Sequence, residues 1–558
     1  MSWFSQHRPL LEAAVDANAE RGAFVPFQES PSRRHHPEGA REAGLEAYEA
    51  RLGSAFDLGQ QGVDGQVGAE RSPWTGAPLG VGYGRCAVGP LMDSVLAAWP
   101  AWRSASLELR AGVCLEILHR WQAQAFENAY ATQHTTGQGF LLAFAGSGAA
   151  SLDRGLEALA AAWSALHAIP SRARWQRRIL GRDVVLEKRY RRVPVGVAVV
   201  LSCGSYPAWN VYPALMANLM TGNPVVLKPH PDTLLPMAIA VETARAVLEE
   251  AGFDPNLLVL APDTWEQPIA MELLGHSATA ICDFTGGQRF GAVLERSFPR
   301  LQVYTETAGC NAVLLESSRD LGLSLKALAE GLFLFSAQMC TAPQNIWIPS
   351  RGVLDGGRQV CFDEVVAQLV LELDELARIP AARSPAGCLH SSRTLDDLEQ
   401  LAGSGGTVVR ASAPLPESGP ARTASPLPLR LSAQQRALAQ REHFGPMAFV
   451  IEAPSREEAL EGAASDARRF GAIASYAWSV DADWCAQAEE RFSLAGASLG
   501  LNLHHQRPIN TTAAFSDFHV TGLNPAGTAC LTDPAFVSRR FRVVQTKQEL
   551  PCPEPTTS

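Results

Sequence analysis

Residues 196–202 read Gly-Val-Ala-Val-Val-Leu-Ser, and residues 221–229 read Thr-Gly-Asn-Pro-Val-Val-Leu-Lys-Pro. Each is a short apolar, β-branched run bounded by Gly, Ser or Pro, the pattern of a strand buried on both faces. Further strand-like runs stand at 184–186, 257–260, 280–284 and 303–305, with helical segments between them. Strands alternating with helices imply βαβ units and a parallel sheet. A second alternating region begins near Asn311 and runs past Asn502, with strands expected at 312–315, 345–348, 448–451 and 475–479. The fold class is therefore α/β. Between these strands, 403–429 is rich in Gly, Ser and Pro and reads as an exposed insertion. Upstream, apolar residues at helical spacing fill 88–168, interrupted near Gly137 and Gly139. Residues 1–73 are polar with helical patches and read as an extension wrapped on a larger body.

Composition narrows the function class. The 558 residues are 46% apolar, enough for two or three domains. A formal charge of −10 disfavours nucleic acid and anionic membrane as partners. Neither a secretory signal nor a membrane-spanning run is present, so the expected location is cytoplasmic. The eleven cysteines include no CxxC or Cys/His ligand cluster and read as reduced thiols, with no metal expected.

One cysteine stands apart. Cys340, in Ser-Ala-Gln-Met-Cys-Thr-Ala at 336–342, follows an apolar helical stretch and precedes a strand. Such a cysteine is ordinarily a small buried hydrophobe. Glu306 lies where the strand Val303-Tyr304-Thr305 enters the small-residue turn Thr307-Ala308-Gly309; there a carboxylate can face a cleft or simply be solvated. As a pair they make sense: a thiolate attacks an aldehyde carbonyl, a nicotinamide takes the hydride, and the carboxylate activates water against the resulting thioester.

The two residues are 34 positions apart, and at this spacing the chain resembles the aldehyde dehydrogenase superfamily, with Cys340 as nucleophile and Glu306 as general base. Thr221 to Pro229 is similar to that family's GN-x-VV-x-KP signature, which implies that Lys228 binds the adenosine ribose. Phe284-Thr285-Gly286-Gly287 with Gly291 resembles the turn that opens a helix toward the pyrophosphate. Glu442-His443-Phe444-Gly445-Pro446 resembles the E-x-FGP motif, implying that Glu442 holds the nicotinamide ribose and Phe444 packs on the same part of the cofactor. The stretches 71–76, 133–138, 206–210 and 514–519 look like the PaaN-type enzymes of phenylacetate degradation, whose implied substrate is a ring-opened semialdehyde, carried on coenzyme A in one form. The resemblance implies a Rossmann-type cofactor domain (74–175 and 195–305), a catalytic domain (306–520) and oligomerisation strands (176–194 and 530–550). A homodimer or homotetramer follows from those strands. The loop at 502–517 is expected to shape the substrate pocket.

Departures from the pattern sharpen the expectations. The oxyanion-hole asparagine falls on Ser205, whose hydroxyl would substitute; losing such a donor can cost about 3–4 kcal/mol in the barrier. Asn210, five residues on, is the alternative donor. Ala337 stands where a glycine is usual, three residues before the nucleophile. Pro231 replaces an acid that would hold the ribose 2′-hydroxyl, so the cofactor is NAD(P) with NADP favoured and His230 as a partner for a 2′-phosphate. Two other readings stay open: a dehydrogenase that passes the acyl group to coenzyme A, and a non-catalytic binding protein on the same fold.

Overall fold

A computed structural model describes residues 2–504, 514–518, 523 and 534–551. His519, residues 505–513 of the expected pocket loop, 519–520 of the catalytic span and 530–533 of the second oligomerisation span lie outside the described residues.

The two quoted runs are adjacent strands of one sheet. Val197–Leu201 (β1) pairs in parallel with Val225–Lys228 (β2), which pairs with Leu258–Leu260 (β3). On its other side β1 pairs with Thr279–Thr285 (β4), and β4 with Gln302–Glu306 (β5), giving the order β5-β4-β1-β2-β3. All five residues of β1 are buried, as an apolar strand covered by helices on both faces requires. The chain leaves β1 to opposite sides of the sheet, so the crevice past its C-terminal end is the expected ligand site of an open α/β sheet. Residues 202–206 and the Gly286–Gly287 turn lie at that end.

The second sheet is built from Ala312–Leu315 (β6), Asn345–Pro349 (β7), Thr407–Val408 (β8), Leu427–Ser432 (β9), Met447–Ala453 (β10), Ala474–Trp478 (β11) and Ser498–Leu501 (β12). Its order is β8-β9-β10-β7-β6-β11-β12, parallel except for the β8–β9 pair. The architecture is thus the expected Rossmann-type sheet beside a second α/β sheet. The segment 403–429 is exposed or half-buried through residue 422 apart from Leu415, as an insertion would be; its end corrects the sequence reading, because 423–429 are buried and enter the sheet as β9 with Leu427 and Leu429 in the core. The alternation Leu-Pro-Leu-Arg-Leu was hidden by the prolines and serines before it.

The asparagine of Gly222–Asn223 is structural. Its side chain accepts from the Gly196 N–H (3.1 Å) and donates to the Arg540 carbonyl (2.9 Å). Gly222 ends Pro207–Thr221 at φ +90°, and a Cβ there would sit 2.3 Å from the Arg110 guanidinium. Arg540, fully buried, forms an ion pair with Asp283 of β4 (2.6 Å) and donates to Asn218 (2.8 Å). From there Phe541–Leu550 pairs antiparallel with Arg182–Pro194, which pairs with Arg172–Ile179. The sequence allowed Phe541–Val544 to join a neighbouring subunit's sheet; in the structure it completes a three-stranded ribbon of its own chain, because Arg540 delivers it beside Pro194.

In the N-terminal extension the helix Trp3–Glu20 (α1) is capped by Ser2 and buries Leu11, Ala14 and Ala17. It packs on Leu107–Ala123 and on Ala150–His167 (α2). Farther along, the Phe27 N–H donates to the buried Asp153 carboxylate of α2 at 3.3 Å. Burial, with Glu29 and Glu157 nearby, pushes Asp153 up to about 8 from 3.8. A carboxyl that is more readily protonated folded than unfolded loses stabilising effect as pH rises between those values. Asp153→Asn should therefore gain stability over the parent from pH 5 to pH 8, by about 3–4 kcal/mol. Denaturant melts across that range check it; a gap independent of pH would contradict the assignment.

Candidate active site

The nucleophile candidate sits after an unusual turn. Following the helix Leu321–Phe333, residues Phe335, Ser336 and Ala337 take φ of 48°, 50° and 54°, three left-handed non-glycine residues in a row. Each costs about 1–2 kcal/mol, so the surroundings must hold them. The Phe335 N–H donates to the Pro385 carbonyl (2.8 Å) and the Ser336 hydroxyl to the Ala386 carbonyl (3.1 Å). The buried Gln338 amide donates to the Phe335 and Cys388 carbonyls (3.1 and 3.0 Å) and accepts from the His390 N–H (2.8 Å). Two residues on, Cys340 opens into a cavity of about 840 Å³.

Glu306 ends β5 in the same cavity, 4% exposed. Its carboxylate and the Cys340 thiol influence one another electrostatically, and its Oε1 is buried with no hydrogen-bond partner among the described residues. Burial raises the pKa of both: for Cys340 the carboxylate adds to the effect, while for Glu306 the Arg154 charge, the thiol and Asn210 oppose it. A carboxylate held beside a thiol in this way is placed to act as a base toward it. Asn210 donates through Nδ2 to Glu306 Oε2 and to Thr285 Oγ1 (2.9 Å). The Asn210 amide, also in the cavity wall, is thus engaged by the base and Thr285. Ser205 is in the same wall, 7% exposed, and its carbonyl accepts from Gln138 (2.8 Å).

At the other end of the cavity Lys228 forms an ion pair with the buried Asp263 (2.7 Å). Gly286 and Gly287 line the wall where the helix Gln288–Ser297 starts. Glu442 and Phe444 face them, with burial pushing Glu442 up to about 7 and Phe444 40% exposed. A lysine, a glycine-framed helix start, a carboxylate and an exposed aromatic along one cavity suit a dinucleotide's ribose, pyrophosphate and ring.

Seven of the eight site residues read from sequence thus share one cavity: Cys340, Glu306, Ser205, Lys228, Gly286, Glu442 and Phe444. Gly291 does not line it. That glycine is buried inside its helix, where a Cβ would meet Thr307 Cγ2 at 2.9 Å, so it serves packing between helix and strand. His230 also departs from expectation. Its ring lines the cavity, packed edge-on against Trp265 and His390, and burial holds it well below its ordinary pKa. His230, Asp232 and His390 bring possible ligand atoms within 4.8 Å of one another. Asp232 already accepts from the Trp265 indole (3.1 Å), and His230 Nδ1 from the Asp232 N–H (3.2 Å), so they read as a polar wall. Sequence reasoning missed Arg154, Thr285, Cys203 and Asp263. Thr285 lies inside a motif already singled out and Cys203 beside one; Arg154 lies near the start of its helix, in an alanine-rich stretch with no local signal.

A cysteine and a carboxylate at one end of a cavity suited to a dinucleotide, on a Rossmann-type sheet, are the setting of a nicotinamide-linked oxidoreductase. The chain belongs to the aldehyde dehydrogenase family, whose model matches residues 84–523. It is similar to an NAD-dependent aldehyde dehydrogenase from Burkholderia multivorans, at 38% identity and a TM-score of 0.94 over 99% of this chain and 100% of that one. An N-succinylglutamate 5-semialdehyde dehydrogenase of Burkholderia mallei is 27% identical over 71% of this chain and 78% of its own. An α-ketoglutarate semialdehyde dehydrogenase of Haloferax volcanii is 30% identical over 48% of this chain, and the match spans only 55% of that relative.

The turn before Cys340 generates its own expectation. Ala337→Gly should relieve strain and stabilise the protein by about 1 kcal/mol, where alanine-to-glycine changes usually destabilise. Chemical denaturation of the two proteins reads the difference; a loss of stability would show that Ala337 bears no strain.

Proposed function

We propose that this protein oxidises a small aldehyde to the carboxylic acid with NAD(P), using Cys340 as nucleophile, Glu306 as general base and Ser205 as oxyanion donor. The observation that carries the reading is that the Glu306 carboxylate and the Cys340 thiol line one cavity, electrostatically coupled, together with Lys228 and Glu442.

In this reading Glu306 takes the thiol proton as Cys340 Sγ bonds to the aldehyde carbon, and the Ser205 hydroxyl donates to the developing oxyanion. Glu442 and Phe444 would hold a nicotinamide, which would supply the hydride acceptor that turns the thiohemiacetal on Cys340 into a thioester. Glu306, its proton released, then removes a proton from water, whose oxygen attacks the acyl carbon; the acid leaves and the thiol is restored. Burial of Glu306 serves this second role, because a base with a raised pKa drives proton removal better near neutral pH.

For substrate we propose a semialdehyde, in line with the two curated relatives, and specifically a ring-opened, coenzyme A-linked semialdehyde of phenylacetate breakdown, on the resemblance of residues 71–76, 133–138 and 206–210. As to cofactor, Pro231 leaves room for a 2′-phosphate, the basis for favouring NADP. The Asp263 carboxylate beside Lys228 and the neutral His230 favour the uncharged diol of NAD. The ratio of kcat/KM for the two cofactors decides between them. We further propose assembly through the exposed ribbon, which carries Leu180, Val543 and Val544 on its surface; among the described residues no helix is long and apolar enough to cross a membrane.

Mixing enzyme, semialdehyde and either cofactor should produce the reduced-nicotinamide absorbance. Cys340→Ala should abolish it, whereas Glu306→Gln, lacking the base of both steps, should slow the single-turnover burst and lose about 100-fold or more in steady-state rate. Full turnover by Cys340→Ala would sink the proposal. Ser205→Asn should raise kcat/KM on simple aldehydes by about tenfold or more; a slower or unchanged variant would mean that another group is the oxyanion donor.

A further inference from the structure

Arg154 is the charged group that the thiol mechanism leaves unexplained. It lies in the first turn of α2, just past a π-helical turn at Ala145–Ala149, and is 1% exposed. A buried arginine is tolerated only where its charge and its N–H groups are engaged. The guanidinium stacks over the Trp209 ring (4.5 Å to its centroid), faces Glu157 one turn along α2, and donates through Nη2 to Asn210 Oδ1 at 3.2 Å.

That hydrogen bond fixes the sense of the amide. A guanidinium can only donate, so Asn210 must turn its oxygen toward Arg154 and its NH₂ toward Glu306 and Thr285. With the amide reversed, its oxygen would face the carboxylate and repel it. The groups around the thiol and the carboxylate are otherwise neutral or acidic: Cys203, Tyr206 and Tyr476 surround Cys340. Among the described residues, Arg154 is the cation whose field reaches both Glu306 and Cys340.

We propose that Arg154 is a positioning residue for the reaction: acting through Asn210, it orients the Glu306 carboxylate against the Cys340 thiol and offsets the negative charge that the pair must carry. Arg154 touches neither substrate nor cofactor in this scheme, since its burial keeps it behind Trp209 and Asn210. The inference rests on the reading of Cys340 and Glu306 given above. Its consequence is a sign. Removing the guanidinium makes both ionised forms harder to reach, so the pH at which the base and the thiolate become available moves upward.

The test compares Arg154→Met, Arg154→Lys and Asn210→Ala with the parent. The readouts are the pH profile of kcat and the pH profile of Cys340 alkylation by iodoacetamide, followed on the Cys340 peptide by mass spectrometry. Arg154→Met should move the acid limb of kcat and the alkylation profile to higher pH by about one unit or more, and lower kcat at neutral pH about tenfold or more with KM for the cofactor unchanged. Arg154→Lys should fall between parent and Met. Asn210→Ala leaves the arginine in place and should shift the acid limb of kcat in the same direction, which decides the matter if Arg154→Met does not fold. Profiles of Arg154→Met or Asn210→Ala that superimpose on the parent, whatever the absolute rates, would overturn the proposal. The two readings fail separately: turnover by Cys340→Ala defeats the thiol mechanism, whereas an inactive Cys340→Ala beside unshifted profiles defeats the role of Arg154 alone.

Discussion

The site depends on a backbone constraint: three consecutive residues, Phe335 to Ala337, are held in a left-handed conformation directly before the segment that ends in Cys340. A side-chain amide, Gln338, and carbonyls of residues 385–388 hold the turn shut. The energy stored there is of the order of a few kcal/mol, a large fraction of a domain's net stability. A cost of that size persists only where the surroundings over-determine the geometry, and the surroundings here are a second loop, 384–390, clamped on the first. The thiol is therefore placed by two loops acting as one rigid body rather than by the helix that precedes it.

Around that fixed point the chemistry is arranged by burial. Glu306, Cys340 and Glu442 all have raised pKa values, and in each case desolvation is the leading cause. A cavity that made ions this costly without compensation would hold an inert thiol. Compensation comes from Arg154, which sits behind the wall instead of in it. The arrangement separates two requirements that compete in an enzyme pocket: an apolar, water-poor space for the aldehyde, and a positive charge close enough to support a thiolate and a carboxylate in turn.

How much of this could be read from sequence follows from the range of the interactions. The five strands of the cofactor sheet and their parallel sense were legible because most are local apolar runs separated by helical segments, though their order was not. The 34-residue interval between Glu306 and Cys340 was legible because both lie at ends of regular elements. β9 was not, since prolines and serines mask a period-two pattern that only its neighbours β8 and β10 make a strand. Nor was the use of Asn210, which depends on an arginine 56 residues away in the chain. Gly291 shows the opposite failure: a motif position can be filled by the right kind of residue and still serve packing, because the motif records spacing and not direction.

The Arg540–Asp283 pair gives the fold a timetable. The sheet that carries the cofactor cavity has all five strands by residue 306, yet its central staple, the Asn223 amide, and the buried carboxylate of β4 are completed only by Arg540, 257 positions after Asp283. On a ribosome the cofactor sheet therefore emerges with an unpaired acid in its middle and must wait for the whole second sheet to be made before that charge is met. Contacts of such long range slow folding and leave edges open in the interval. The two sheets are separate in space, but they mature together.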